Sequence, residues 1–179
     1  MPILVRTAER ADVPALVRLR LANADSHVRL DPVVYRVPDA DAVRGHFEAT
    51  LSSGSEVEIF VAEVAGEVVG MVELVPVAAP PEHQILVPRR TAEIHTVVLD
   101  GHRGEGIGSA LLKAAEQAAA EQGVAIIYAG IFTRNEGAVR FYRAAGFGPR
   151  GTLLSRELGG PATDRSGPSR QLHSGNNTL

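Results

Sequence analysis

Residues 93–109 read Glu93-Ile94-His95-Thr96-Val97-Val98-Leu99-Asp100-Gly101-His102-Arg103-Gly104-Glu105-Gly106-Ile107-Gly108-Ser109, and the fold turns on this stretch. It opens as an apolar strand and passes through a glycine-rich turn. It then enters a run with Ile107, Ala110, Leu111, Ala114, Ala115 and Ala118 on one helical stripe. Lys113, Glu116 and Glu121 fall off that stripe, so the spacing predicts an amphipathic helix packed on a sheet, closed by Gly123. Glycines in the turn let a ligand approach the backbone without a Cβ in the way. The first turn of the helix carries unpaired N–H groups and the positive end of its dipole. Together these features point to a phosphate-bearing ligand held mostly by main chain.

Outward from this stretch, the elements follow in order. Residues 3–7 read as a first strand, and a helix starts near Val13 behind Asp12 and fades over residues 23–26. Residues 27–38 read as a loop, followed by a second helix from Asp39 or Asp41 that Gly54 stops. Residues 56–64 and 67–75 flank Ala65-Gly66 as an antiparallel hairpin. Residues 76–90 hold Pro76, Pro80, Pro81 and Pro88, which excludes a central strand there. Residues 124–132 form a continuous apolar run, read as a buried central strand. Residues 135–145 read as a helix ending at Gly146, and residues 150–158 as a last strand. From Gly159 the composition turns to Gly, Pro, Ser, Thr and Asn, too poor in apolar groups to offset the entropy of ordering. The expected organisation is one domain over residues 1–158 and a disordered tail over 159–179.

Composition narrows the classes. A net charge of −3 leaves no footprint for nucleic acid. The longest uncharged run, residues 122–133, is 12 long and falls short of a membrane span. Arg6, Glu9, Arg10 and Asp12 interrupt the N-terminus before a signal-peptide core can form. The chain has no cysteine, hence no disulfide framework or cysteine-based metal site, which fits a soluble cytoplasmic protein.

Two glycine motifs fail on this turn. A Walker A loop would need a lysine where Ile107 stands, although Gly101 and Gly106 have its spacing. A dinucleotide fingerprint started from Gly104 meets Ser109, and one started from Gly106 meets Leu111. What fits is Arg103-x-x-Gly106-x-Gly108 after a strand and before an Ala/Leu-rich helix. Downstream, Asn135-x-x-Ala138-x-x-Phe141-Tyr142 is followed by Gly146-Phe147. These two blocks, in this order, resemble the GNAT superfamily of acyl-CoA-dependent N-acetyltransferases. The likeness covers residues 1–158 and is most specific over 93–147.

The resemblance implies an α/β fold of the α+β type, a mixed and mostly antiparallel twisted sheet with helices on both faces. It implies transfer of an acetyl group from acetyl-CoA to a primary amine by direct attack, with no covalent enzyme intermediate and no metal. The backbone of Arg103, Gly104, Glu105, Gly106, Ile107, Gly108 and Ser109 would take the pyrophosphate, with Arg103 adding a cation. The pantetheine arm would run along the strand past Val97 and Val98, and an amide near Val98 would donate to the thioester carbonyl. Such a donor is commonly worth roughly 3 kcal/mol in acyl transfer.

Tyr142 matches the family's tyrosine and would act as general acid toward the departing thiolate; the alternative is an aromatic that packs and positions the sulfur. Asn135 would cap its helix and touch the pantetheine or a water. Glu93 would be the base, acting through a water; the alternative is a solvent-facing strand end. His95 shares Glu93's face by two-residue alternation and reads as a core histidine, and His102 as a structural part of the turn. The acceptor, a small-molecule or peptide amine, would be chosen by residues 27–38 and 76–90. Homodimers are common in the superfamily. A different class stays open: an acyl-CoA-binding sensor or interaction module on the same fold, separable by testing for thiol release.

Overall fold

The computed structural model describes residues 2–52, 54–153 and 155. Its contacts gather Met1–Phe147 into one compact unit. In the remainder, residues 148–153 and 155 carry neither helix nor strand, and the rest of the expected last strand and the tail lie outside the described residues.

Among the described residues, five strands form one sheet in sequence order: β1 (Ile3–Thr7), β2 (Glu58–Val64), β3 (Glu67–Val77), β4 (Thr91–Val98) and β5 (Ile126–Tyr128). The first four pair antiparallel, while β5 lies parallel to β4, so the sheet is mixed and mostly antiparallel. The β2–β3 turn places Ala65 and Gly66 at positive φ. Four helices among the described residues cover the sheet: α1 (Val13–Leu30), α2 (Ala40–Thr50), α3 (Ile107–Glu121) and α4 (Glu136–Ala144). One core joins Leu16, Leu19, Val43 and Phe47 of α1 and α2 to Ile59, Val61, Met71 and Val97 of the sheet. The other joins Ile107, Leu111, Leu112, Ala115 and Tyr142 to Val72, Leu74, Ala92 and Ile94. The two helix pairs therefore sit on opposite faces, as period-two alternation along β3 and β4 requires.

Several expectations are corrected. Helix α1 runs to Leu30 rather than fading near Asn23, so His27 and Arg29 stand on it. Ser26 Oγ donates to Ala22 O at 3.0 Å, and Asp25 pairs with Arg29 one turn on. The helix ends at Asp31, the residue before Pro32, whose backbone is extended as a following proline demands. Strand β3 continues through Pro76 and Val77, and Pro76 faces Ala92 on β4. The proline fits because β2 has already ended at the Glu58–Leu74 pair, so no neighbour waits for the missing N–H. Residues 124–132 do not make a buried central strand. Only Ile126–Tyr128 pair, they form the sheet edge, and they are half-buried. An apolar run there serves packing against α3 as much as ladder formation. Within α3 the buried stripe is Ile107, Leu111, Leu112, Ala115 and Ala119, so Leu112 and Ala119 stand in place of the expected Ala110, Ala114 and Ala118.

Among the described residues, no helix is long and apolar enough to cross a membrane.

Candidate functional site

The glycine turn is built as an open cradle. A short 3-10 turn at Asp100–His102 follows β4, and Gly104 and Gly106 then take φ of +83° and +85°. Side chains resist that left-handed region, and a Cβ at either position would meet nothing within 4 Å. Conformation, not crowding, is what calls for glycine here. Gly106 is the N-cap of α3 and has no side chain with which to cap it. The first intrahelical bond runs from Ala110 N–H to Gly106 O at 3.0 Å, so the amides of Ile107, Gly108 and Ser109 precede it. Gly108 answers to a different need: a Cβ there would lie 3.1 Å from the Phe141 ring, so this glycine lets α4 approach α3.

The side chains of the turn are tied to each other. Arg103 pairs with Asp100 at 2.8 Å and its Nε points to Val98 O at 3.4 Å. His102 Nδ1 lies 3.3 Å from Glu105 Oε2, in keeping with a structural place in the turn. What the turn offers outward is therefore mostly main chain.

Behind the turn, β4 and β5 part company. Their ladder comprises Thr91–Ile126, Ala92–Ile127 and Glu93–Tyr128, and residues 94–98 have no β5 partner. Leu99 N–H donates to Val69 O on β3 at 3.0 Å. Alternation along the strand then turns the Val98 and Thr96 amides the other way, toward the uncovered edge. Val97 is turned to β3 with its side chain buried against α1 and α2, so it does not reach that edge.

Tyr142 and Glu93 flank this gap from opposite faces. On the α3/α4 face, Tyr142 is buried and its hydroxyl donates to Thr96 Oγ1 at 3.0 Å. Phe141 and Phe147 wedge it with ring centroids at 5.0 and 5.2 Å. Burial, partly offset by the Thr96 contact, raises the phenol above its ordinary value, so it stays protonated at neutral pH. Asn135 caps α4, its side chain accepting from Ala138 N–H at 3.1 Å. On the other face Glu93 is half-buried at the last rung of the ladder. A Cβ on Gly130 would come within 3.1 Å of Glu93 Oε1, so the carboxylate lies over the segment where β5 turns away.

His95 is exposed and is not a core histidine; α1 and α2 stop short of covering it. The residue the sequence reading missed is Glu73. It is 3% exposed on β3 and pairs with Arg20 of α1, which in turn lies over the Phe47 ring at 5.5 Å. A single charge inside the apolar run of residues 68–75 was the available signal, since buried carboxylates are kept only when paired. Thr96, the partner of the tyrosine, carried no comparable mark.

The expected acceptor segments lie apart. Residues 31–38 reach the segment after β5, where Tyr35 meets Phe132 at 5.4 Å between ring centroids and Asp31 pairs with Arg134 at 3.6 Å. Residues 76–90 border a cavity of about 670 Å³ lined by Glu56, Pro76, Arg89, Arg90 and Val124. That cavity sits by the start of β4 and the end of α3, away from the glycine turn.

A sequence profile of the Acetyltransferase (GNAT) family matches residues 24–147. An N-acetyltransferase 8B from Rattus norvegicus is 35% identical over 99 residues, 55% of this chain and 43% of its own length. An uncharacterized N-acetyltransferase from Methanocaldococcus jannaschii is 40% identical over 60 residues, covering 33% of this chain and 26% of its own. The matches thus span less than half the length of either relative. Among solved structures, a tetramutant of the BH1408 protein from Bacillus halodurans superposes with a TM-score of 0.78 at 22% identity, over 87% of this chain and 99% of that one. The aminoglycoside N-acetyltransferase AAC(6')-Iy in complex with CoA gives 0.67 at 16% identity, over 88% and 95%. These two share its fold. With the family profile covering most of the chain, and with the strand–glycine turn–helix in place, this chain belongs to the GNAT acetyltransferase family.

Proposed function

We propose that the chain moves the acetyl group of acetyl-CoA to a primary amine by direct attack within a ternary complex. The parting of β4 and β5 beside the cradle, with Tyr142 and Glu93 on opposite faces of the gap, carries this reading. Acetyl-CoA supplies the activated acyl thioester. The amides of residues 103–109 and the N-terminal end of α3 hold the pyrophosphate, the helix dipole favouring negative charge. Arg103 adds its cation by exchanging Asp100 for phosphate. The Val98 amide donates to the carbonyl that gains negative charge during attack.

Glu93 draws the ammonium of the acceptor toward the gap and accepts its proton through a water. Tyr142, protonated and reached through the opposite face, gives a proton to the departing sulfur. With no cysteine in the chain, nothing favours an acyl-enzyme on sulfur. The acceptor is a small-molecule or peptide amine, and residues 1–158 form the working domain in the cytoplasm.

The test is thiol release from acetyl-CoA with an aminoglycoside, spermidine, and peptides bearing a free N-terminus or a lysine. Amine-dependent, saturable release is expected. Saturable CoA binding without release for any amine would instead assign a binding module.

A further inference from the structure

A run of three large apolar side chains stands uncovered between β3 and β4. Ile85, Leu86 and Val87 are 98%, 64% and 72% exposed. A turn closed by Gln84 N–H on Pro81 O at 2.9 Å precedes them, and Pro88 follows, so the run is held out on a short and constrained segment. Single exposed apolar residues are ordinary, whereas three in a row mark a surface that something covers. The cavity of about 670 Å³ begins at the next residue: Pro88, Arg89 and Arg90 line it, and residues 85–87 do not. Pro76, Val77, Ala79 and Val124 give it apolar walls. A protrusion and a hollow of matching apolar character thus share one face.

Charge on this face is arranged in the same way. Arg89 and Glu56 both border the hollow, and among the described residues neither takes part in an ion pair. Arg90 and Glu58 are instead tied within the chain, Arg90 donating to Gln122 O at 2.7 Å and Gln122 Nε2 donating to Glu58 at 2.7 Å. An anionic lipid surface would suit Arg89, but it would repel Glu56 and leave the hollow unfilled. A protrusion, a hollow, a cation and an anion side by side make a patch that complements itself under a two-fold rotation.

We propose that this face joins two copies of the chain, residues 85–87 of each seating in the hollow of the other and Arg89 of each pairing with the partner's Glu56. The apolar run supplies the buried centre of the contact, and the two charge pairs at its rim fix which way round the copies meet. The contact also bears on the edge of the sheet. Thr91 and Val124 border the hollow, and Arg90 O accepts from Ala125 N–H at 2.8 Å just before the first β4–β5 rung, Thr91–Ile126. A partner's loop in the hollow therefore braces the start of β5. The inference stands whether or not the chain transfers acetyl groups.

The experiment measures mass in solution over about 1–100 µM for the full chain, Leu86→Glu, Arg89→Glu, Glu56→Arg and the double reversal Arg89→Glu with Glu56→Arg. The unaltered chain should be a dimer. Leu86→Glu, whose new charge is solvated in the single chain, should melt as before and run as a monomer. Each single charge reversal should raise the dimer dissociation constant at least about tenfold, and the double reversal should bring it back to within about threefold, because the exchanged charges meet again across the two-fold axis. Amides of Ile126–Tyr128 should exchange with solvent faster in Leu86→Glu than in the dimer. A monomeric unaltered chain would overturn the proposal, whether or not it sediments with vesicles of anionic phospholipid. So would a dimer that survives Leu86→Glu, or single reversals that the double reversal does not rescue. Unmoved exchange at Ile126–Tyr128 would overturn the bracing of β5.

Discussion

Tyr142 on α4 and Thr96 on β4, 46 positions apart in sequence, are joined by one hydrogen bond of 3.0 Å from phenol to threonine Oγ1. The bond pins the phenol beside the unpaired part of β4. It also gives the tyrosine a buried resting place that an incoming sulfur would have to share. Tyr142→Phe removes the proton and keeps the ring packing between Phe141 and Phe147. Turnover should fall about 10²-fold with CoA affinity nearly unchanged, read by thiol release and calorimetry. Equal turnover would leave Tyr142 as packing.

The same burial has a sign in alkali. The phenol's pKa is raised in the folded chain, so above its ordinary value of 10.0 the unfolded state releases the proton first. The stability this group contributes is present below pH 10 and is lost as pH rises through the raised value. Thermal melts taken from pH 9 upward should fall less steeply for Tyr142→Phe than for the unaltered chain.

At the other end of the sheet, Arg6 bridges Asp12 at 2.7 Å and Glu63 at 3.2 Å. The Arg6 hydrogen bond holds the Asp12 carboxyl below its ordinary 3.8 against a smaller burial effect, and the Glu9 amide at 2.7 Å adds to it. A depressed acid contributes stability that is full above pH 3.8 and lost as pH falls through the lower folded value. Asp12→Asn should cost about 2 kcal/mol at pH 7 and flatten the acid limb of the melting curve. An unchanged acid limb would refute the assignment.

The two glycines of the cradle should separate on substitution. Gly106→Val meets open space but a φ of +85°, and it screens the amides that follow. CoA affinity should fall at least about tenfold, with a stability cost of about 1–2 kcal/mol from the left-handed backbone. Gly108→Ala presses on the Phe141 ring from 3.1 Å, so it should lower the melting temperature by loosening α4 from α3. Wild-type CoA affinity in Gly106→Val would move the pyrophosphate elsewhere.

Glu93→Gln keeps the size of the side chain beside Gly130 and removes its charge. It should lower kcat/KM for a cationic amine by about 10²-fold while acetyl-CoA binding stays within twofold. A variant as active as the unaltered chain would return Glu93 to a strand-end role.

The glycine turn and the helix ends were the legible part. Gly104, Gly106, the start of α3 and the Asn135 cap were readable because backbone conformation and helix ends restrict residue type strongly. Strand β1 and the β2–β3 hairpin were readable from alternation and from the Ala65-Gly66 turn. The reading failed where partners decide the outcome. A continuous apolar run looks alike in a central strand and in the packed edge that residues 124–132 became. His95 was misplaced because its exposure depends on how far α1 and α2 reach across the sheet, and α1 itself was read one turn too short. Glu73 was overlooked because its meaning lies in Arg20, on a different element.

The β4–β5 ladder has one further consequence. With the edge strand fastened by so few rungs, the free chain should exchange the amides of Ile126–Tyr128 with solvent faster than those of β3, which is bonded on both sides. A ligand lying along residues 94–98 would supply the missing rungs and act as a sixth strand made of something other than protein. Occupancy would then be written in the exchange rate of the sheet's own margin.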